Sequence, residues 1–138
     1  MSASGDAEEK GGGPGAKPPG QHGAQTTAPA VVALRMEDTS HWVIERVAKM
    51  PREHKFAIGD KLVEACLDVT CALVEATYVR DKLGLLAQGS RGLVRARVLA
   101  RLANRSRLLS HEQLAHFDRE TVSVGRMIGG WTRSVRRR

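Results

Sequence analysis

Apolar residues recur at helical spacing along most of the chain from about residue 31 onward, and strand-like alternation is almost absent. The pattern predicts four helices, at about residues 39–49, 52–80, 82–109 and 111–132. It is clearest in the second helix, whose acids and lysines fall on the side opposite a wide apolar stripe. Such a stripe requires partner helices, and the short links predict an antiparallel up-down four-helix bundle. The stripe consists of Phe56, Gly59, Leu62, Val63, Cys66, Leu67, Thr70, Leu73, Val74 and Thr77.

Residue types at the helix ends support these boundaries. Asp38 or Thr39 can cap the first helix, and Pro51 both stops that helix and suits the first turn of the next one. Ser110 and Gln113 have the spacing of a capping box, which predicts the start of the fourth helix. The third helix is less regular, because Gly84, Gly89 and Gly92 would each cost about 1 kcal/mol relative to alanine. We therefore expect a loop, kink or frayed turn before Leu93.

The composition changes near residue 30. Residues 1–30 hold seven of the 14 glycines and four of the five prolines, and they lack large aliphatic and aromatic residues other than the initial methionine. Such a segment cannot bury enough apolar surface to offset its chain entropy, so we expect a disordered tail. The predicted folded domain is residues 31–138, which leaves no room for a multidomain enzyme.

The positive charge is concentrated in the C-terminal half. The chain carries a net charge of +7, with 16 arginines but only six lysines. Residues 83–138 carry +9, whereas residues 36–82 carry −2. Arginines spaced four apart form two rows on the third helix, Arg91 with Arg95 and Arg97 with Arg101 and Arg105.

Two interpretations of these rows remain open. The arginines can pair with acids of the second helix, namely Glu64, Asp68 and Glu75, or they can bind phosphate groups, to which the planar guanidinium is suited. The acids are too few to neutralise both rows and the C-terminal arginines, which favours a nucleic acid. All five aromatic residues have positions that suit packing between helices, so contacts to the sugar-phosphate backbone are expected rather than base stacking. They are Trp42, Phe56, Tyr78, Phe117 and Trp131.

The sequence offers little that points to catalysis, a metal or a membrane. No apolar window is long enough for a transmembrane span, and no secretory signal is evident, so a cytoplasmic location is expected. Cys66 and Cys71 lie five apart on one helix, where we expect small buried hydrophobic residues and not a disulfide. The histidines follow no metal-ligand pattern, and no nucleophile has a recognisable setting. We therefore expect a binding or assembly protein without cofactor or metal.

The most distinctive stretch is Val124–Trp131, which contains Gly125, Gly129 and Gly130. Three glycines in a helix would cost about 3 kcal/mol relative to alanine, so a specific use must offset them. Helix termination explains Gly129 and Gly130 but not Gly125. Alternatively, Gly125 and Gly129 share a face that another backbone can approach closely, and Trp131 anchors the helix end in an apolar pocket.

This run, Gly-Arg-Met-Ile-Gly-Gly-Trp, resembles the accessory variability determinant (Avd) proteins of diversity-generating retroelements, which are related to proteins encoded in ribosomal RNA intervening sequences. The resemblance also includes Pro51-Arg52, the segment Phe56–Asp60 and the arginine-rich stretch Leu93–Ser110, and it covers about residues 34–135. It implies a basic homopentameric barrel of four-helix protomers. It further implies binding of template-repeat RNA and association with the retroelement's reverse transcriptase in mutagenic retrohoming, with the polymerase chemistry in the partner.

The resemblance and the distribution of arginines together suggest which residues matter. The basic surface for RNA or the polymerase would comprise Arg91, Arg95, Arg97, Arg101, Arg105, Arg107, Arg126 and Arg133. The signature and packing residues would be Phe56, Gly59, Gly125, Gly129, Gly130 and Trp131, with the glycine motif packing protomers together. Two alternatives remain: a stand-alone RNA-binding bundle of the intervening-sequence type, and a purely structural oligomer whose arginines form salt bridges between subunits.

Overall fold

The computed structural model describes residues 23–138, and within that range the chain is all-helical with no strand. Helix α1 is Gly23–Ala48. Helix α2 comprises the turn Arg52–His54, the π-helical turn Lys55–Gly59 and the α-helix Asp60–Tyr78, which follow one another without a break. Helix α3 is Leu83–Arg105 and helix α4 is His111–Arg136. The predicted all-α class with four helices is confirmed.

Each helix packs against two neighbours, in the order α1, α2, α3, α4 and back to α1. Later residues of α1 contact earlier residues of α2, because Ser40 contacts Thr70 whereas Val47 lies next to Gly59, near the start of α2. The other adjacent pairs show the same opposite order, so neighbouring helices are antiparallel. The core between them is apolar and includes Phe117, at 0% exposure. Its other large, fully buried members are Met36, Leu62, Leu73, Leu86 and Ile128.

Helix α1 is longer than predicted, and its predicted start near Thr39 is wrong. Thr39 is buried in the middle of the helix, and its hydroxyl donates a 2.9 Å hydrogen bond to the carbonyl of Arg35 one turn earlier. A threonine hydroxyl can make this bond inside a helix as readily as it caps one, so the residue type alone misleads. Val32 and Met36 are buried ahead of it and continue the apolar stripe of α1. Residues 1–22, most of the predicted tail, lie outside the described residues.

Two polar links fix α1 against its neighbours. The hydroxyl oxygens of Ser40 and Thr70 lie 2.9 Å apart in the core, which satisfies both buried groups between α1 and α2. On the other side, Nε of Arg35 donates to the Glu120 carboxylate at 3.0 Å and joins α1 to α4. These bonds set the register of α1 on the bundle.

The predicted loop or kink before Leu93 is also wrong, because α3 is regular from Leu83 onward. Gly89 and Gly92 are buried where α3 crosses α2. A Cβ atom on Gly92 would lie 2.6 Å from Cγ2 of Val69, so only glycine allows the helices to approach this closely. The close packing of α2 against α3 offsets the free energy that glycine costs inside a helix. At the other end of the loop that follows, the Ser110–Gln113 capping box is confirmed, with both of its hydrogen bonds formed.

A candidate nucleic-acid and partner interface

The predicted basic surface is split by the fold into three places. The first is the outer face of α3, opposite the buried Ala96, Ala100 and Ala103. Four exposed arginines fall on this face, in two pairs whose members are four residues apart, about one turn of the helix. These arginines are Arg91, Arg95, Arg101 and Arg105.

The arginines of this face have few acidic partners in the part of the chain that the structure describes. Arg95 Nη1 lies 3.9 Å from the Asp68 carboxylate, and both side chains are more than 60% exposed. An exposed pair at this distance contributes little to stability. Glu64 and Glu75, the other predicted partners, form no salt bridge to this face within the described residues. Pairing inside the protomer therefore leaves most of the charge of α3 uncompensated.

Sequence reasoning missed an apolar row on this same face. Val94, Val98 and Leu102 follow one another at four-residue spacing and are 64%, 39% and 43% exposed. Their four-residue periodicity is visible in the sequence, but the arginines between them led us to interpret this face as purely basic. Three aliphatic side chains in a row are more than the scattered exposure that is normal on a protein surface, and they give the basic face an apolar component.

The second place is a groove of about 450 Å³ between α3 and α4. It brings together Arg97 from α3 with Arg126 and Arg133 from α4, and Gly125 and Gly129 form part of its floor. Arg97 is half-buried, and its Nε atom, among the described residues, has no hydrogen-bond partner. A buried donor without an acceptor destabilises the protomer, and an acceptor from a ligand or a partner chain would relieve that cost.

Of the predicted arginines, only Arg107 lies at the third place. The prediction that Arg107 belongs to the surface of α3 is wrong. Helix α3 ends at Arg105, and the chain then turns toward α4. Arg107 has a φ of 63°, a left-handed conformation that takes its side chain away from the helix face. It lines a different cleft, at the end of the bundle where α1 meets α2.

The signature glycines do not end a helix, because α4 continues through all three to Arg136. The interpretation of Gly129 and Gly130 as a helix terminus is therefore wrong. A Cβ atom on Gly125 would meet only Leu93, at 3.7 Å, and one on Gly129 only the flexible guanidinium of Arg133, at 3.5 Å. Both are ordinary contact distances or longer. Packing inside the protomer thus requires none of these glycines, whereas Trp131 lies partly buried against the core.

The segment that opens α2 contains one residue that behaves as predicted and one that does not. Gly59 is buried at the end of the π-helical turn, where a Cβ atom would lie 2.7 Å from Cγ1 of Val47. Phe56 in the same turn is 64% exposed, so its predicted packing between helices is wrong. Tyr78, at 84% exposure, also departs from that prediction because it is the last residue of α2 and projects beyond the core.

The two cysteines differ. Cys66 is buried in the core, and the loss of hydration there raises the pKa of its thiol to about 12. Cys71 is a free thiol and exposed, so the prediction of two buried cysteines holds only for Cys66. The described residues contain no group of three or more histidine, cysteine or carboxylate side chains that could hold a metal ion.

Within residues 23–138, each helix falls short of the length or apolarity that crossing a bilayer requires. A family model described as bAvd-like matches residues 30–135, which is essentially the whole bundle. No curated protein matches the chain.

Proposed function

The chain belongs to the bAvd-like family, and from that premise we propose that it is a non-enzymatic accessory protein of a diversity-generating retroelement. In this proposal the outer face of α3 binds RNA, the template-repeat RNA above all. The protein associates with the retroelement's reverse transcriptase, which carries out the polymerase chemistry of mutagenic retrohoming.

The uncompensated arginines of α3 carry the RNA-binding part of the proposal. Arg91, Arg101 and Arg105 are exposed, and among the described residues they have no acidic partner within 4 Å. Their mutual repulsion is relieved when phosphate groups neutralise them, and guanidinium groups bind phosphate through paired hydrogen bonds. Because the aromatic residues offer no row of rings beside these arginines, contacts to the RNA backbone are favoured over base recognition.

The apolar row and the glycine groove support a protein partner in addition to RNA. RNA phosphates do not cover Val94, Val98 and Leu102, whereas another polypeptide can. The open glycine face of α4 lies beside them and would let a second backbone approach closely. We assign these surfaces to contacts between copies of this chain, five in the arrangement that the family resemblance implies, and to contact with the reverse transcriptase.

The salt dependence of RNA binding tests the first part. A variant with Arg91, Arg101 and Arg105 changed to glutamine should bind single-stranded RNA more weakly. The slope of log affinity against log salt should flatten by about 2, since each lost phosphate contact removes about 0.7. These three side chains are exposed in the protomer, so helicity should stay unchanged. Arg97 is left in place because it is half-buried and packs in the groove.

A control variant removes the same charge from outside the outer face of α3. Arg52, Lys61 and Arg80 are exposed residues of α2 and of the turn after it, and changing them to glutamine should leave the slope unaltered. Equal losses in the two variants would mean that only net charge matters and would remove the assignment to α3. No RNA binding by the unmodified protein at about 50 mM salt would favour the purely structural oligomer.

Co-purification with the reverse transcriptase tests the second part. The unmodified chain and the purified enzyme should form a complex that survives ribonuclease treatment, because the proposal includes direct protein contacts. Val94→Asp with Val98→Asp should weaken that complex, whereas Leu67→Asp with Cys71→Asp, which adds the same two charges at the same spacing on α2, should not. RNA binding without any complex would favour the stand-alone RNA-binding bundle.

A further inference from the structure

The cleft that Arg107 lines at the end of the bundle is itself a basic site, separate from the outer face of α3 and from the groove. It is a cleft of about 370 Å³ where the end of α1, the start of α2 and the turn between α3 and α4 meet. Arg46, Lys49, His54 and Arg107 line it, together with the hydroxyl-bearing Ser106. None of the described residues that line the cleft is acidic.

The backbone at Arg107 shows that this side chain is present at a conformational cost. Its N–H bonds to the carbonyl of Asn104 at 3.0 Å, and the N–H of Leu108 bonds to the carbonyl of Ala103 at 2.8 Å. These two bonds form a Schellman motif, which closes a helix with one residue in the left-handed conformation. Glycine is the favoured residue at that position because it lacks a Cβ atom, yet here the position is occupied by arginine with a φ of 63°. A strained residue that lines a cleft points to a use for its side chain.

Arg46 is held in place by aromatic packing. Its guanidinium carbon lies 5.5 Å from the centre of the Trp42 ring, which itself lies 4.9 Å from the ring of His116. A guanidinium stacked on an aromatic face keeps its charge and its outer N–H groups free for a ligand. Its Nε atom is buried and, in the described part of the chain, has no hydrogen-bond partner.

The remaining cations of the cleft also lack strong competitors. Lys49 forms no salt bridge among the described residues. His54 lies 3.9 Å from the Glu53 carboxylate, but Glu53 is 83% exposed and does not line the cleft. Three permanent positive charges and an imidazole, contributed by three separate segments, therefore line one space in which none of the described lining residues is acidic.

We propose that this cleft binds a phosphate monoester group. A phosphate monoester carries a charge between about −1.5 and −2 at neutral pH and has three acceptor oxygens, so it can engage two guanidinium groups, the ammonium group of Lys49 and the Ser106 hydroxyl together. A single carboxylate carries only one negative charge and has only two oxygens. The group can come from a free nucleotide or from the 5′ end of an RNA strand. The proposal does not depend on RNA binding by α3.

Calorimetric titration of the full chain with inorganic phosphate and with AMP, at constant ionic strength, tests the site. We expect AMP to bind with a Kd below about 1 mM and adenosine not to bind, because the phosphate is the recognised group. Arg107→Gly should weaken AMP binding at least tenfold. The same variant should unfold at a temperature a few degrees higher in phosphate-free buffer, since glycine relieves the left-handed strain.

Opposite effects on binding and stability distinguish a ligand site from a structural role. Lys49→Gln, which alters an exposed side chain, should also weaken AMP binding, whereas Arg119→Gln removes the same charge from α4 outside the cleft and should not. Equal affinity of Arg107→Gly and the unmodified protein would overturn the proposal. So would equal weakening by Arg119→Gln, no preference for phosphate over acetate, or a lower unfolding temperature of Arg107→Gly.

Two RNA oligonucleotides that differ only in a 5′-phosphate identify the source of the group. If the phosphorylated strand binds at least tenfold more tightly and Arg107→Gly abolishes that difference, the end of an RNA strand is the ligand. If the two strands bind equally while AMP binding still requires Arg107, the ligand is a free nucleotide. The variant with Arg91, Arg101 and Arg105 changed to glutamine should retain AMP binding, so failure of either proposal can be recognised separately.

Discussion

Two groups of glycines occupy neighbouring helices and serve different purposes. Gly89 and Gly92 of α3 face α2 and the core, and at Gly92 a single added carbon would lie 2.6 Å from Val69. Gly125 and Gly129 of α4 face a groove, where an added carbon would meet its neighbours at 3.5 Å or more. Contacts inside the protomer require a glycine at Gly92, whereas they require neither glycine of the second group. Two glycines that no internal contact requires, lying together in one groove, point to a surface where something else approaches.

Only the structure distinguishes these groups. Both interrupt helical sequence at a similar cost relative to alanine, and both lie in helices that run straight through them. The difference lies in the neighbouring helix, which the local pattern does not specify. Substitution by alanine at Gly92 and at Gly125 therefore adds the same carbon in two settings and should change stability in opposite directions.

The largest effect is expected for Gly92→Ala. The added carbon must displace Val69, whose branched side chain has little rotational freedom next to the backbone, so the variant should lose about 2 kcal/mol of unfolding free energy in urea titration. Gly89→Ala is the matched control, because its carbon would lie 3.4 Å from Leu73 and should be tolerated. Val69→Ala combined with Gly92→Ala should lose less unfolding free energy than the sum of the two single variants, because the smaller side chain makes room for the added carbon. Additive losses in the double variant would contradict the close-approach explanation.

The rate at which the buried thiol of Cys66 is alkylated measures how the same glycine substitutions change the stability of the core. Because burial raises the pKa of this thiol to about 12, it should resist alkylation at pH 8 until the bundle opens, whereas exposed Cys71 reacts at once. In Gly92→Ala the slow reaction of Cys66 should accelerate roughly 30-fold, which corresponds to about 2 kcal/mol of lost stability. Gly125→Ala should not accelerate it. Rapid labelling of Cys66 in the unmodified protein would contradict its protected position.

The sequence predicted the bundle well where local signals act within a helix. The capping box of Ser110 and Gln113 involves residues three apart, and the stripe of α2 repeats with the helix turn, so both were visible without a partner. The start of α1 was missed because the hydroxyl of Thr39 can cap a helix or bond to the preceding turn, and only the burial of Val32 and Met36 decides between these roles.

The candidate surfaces were less predictable because they depend on which segments meet. Arginine spacing indicated the outer face of α3, but the groove needs the register of α3 on α4, which brings Arg97 to Arg126. Arg107 was placed on the wrong surface because helix α3 ends two residues before it, in a left-handed turn without the glycine that usually marks one. Arg46 and Lys49 were not singled out, since their convergence with Arg107 joins segments about 60 residues apart.

A smaller effect on stability, and of opposite sign, is expected for Gly125→Ala. Inside the protomer the new carbon only touches Leu93 at 3.7 Å, so the helix should gain about 1 kcal/mol. If another copy or the reverse transcriptase approaches this face, association should nevertheless weaken. Sedimentation velocity and co-purification measure that association. Ser123→Ala, a half-buried change on α4 that does not line the groove, is the control. Unchanged association in both variants would remove the role of this face in packing.

The smallest effect is expected for Gly84→Ala, which measures the intrinsic cost of glycine without any neighbour. Gly84 is exposed in the first turn of α3, and nothing lies within 4 Å of its added carbon. Alanine there should stabilise the bundle by about 0.5 kcal/mol in urea titration, because it restricts the unfolded chain and favours the helix. Association and RNA affinity should not change. A loss of stability would mean that the turn between α2 and α3 needs glycine, and the gain at Gly125 could then no longer be attributed to helix preference alone.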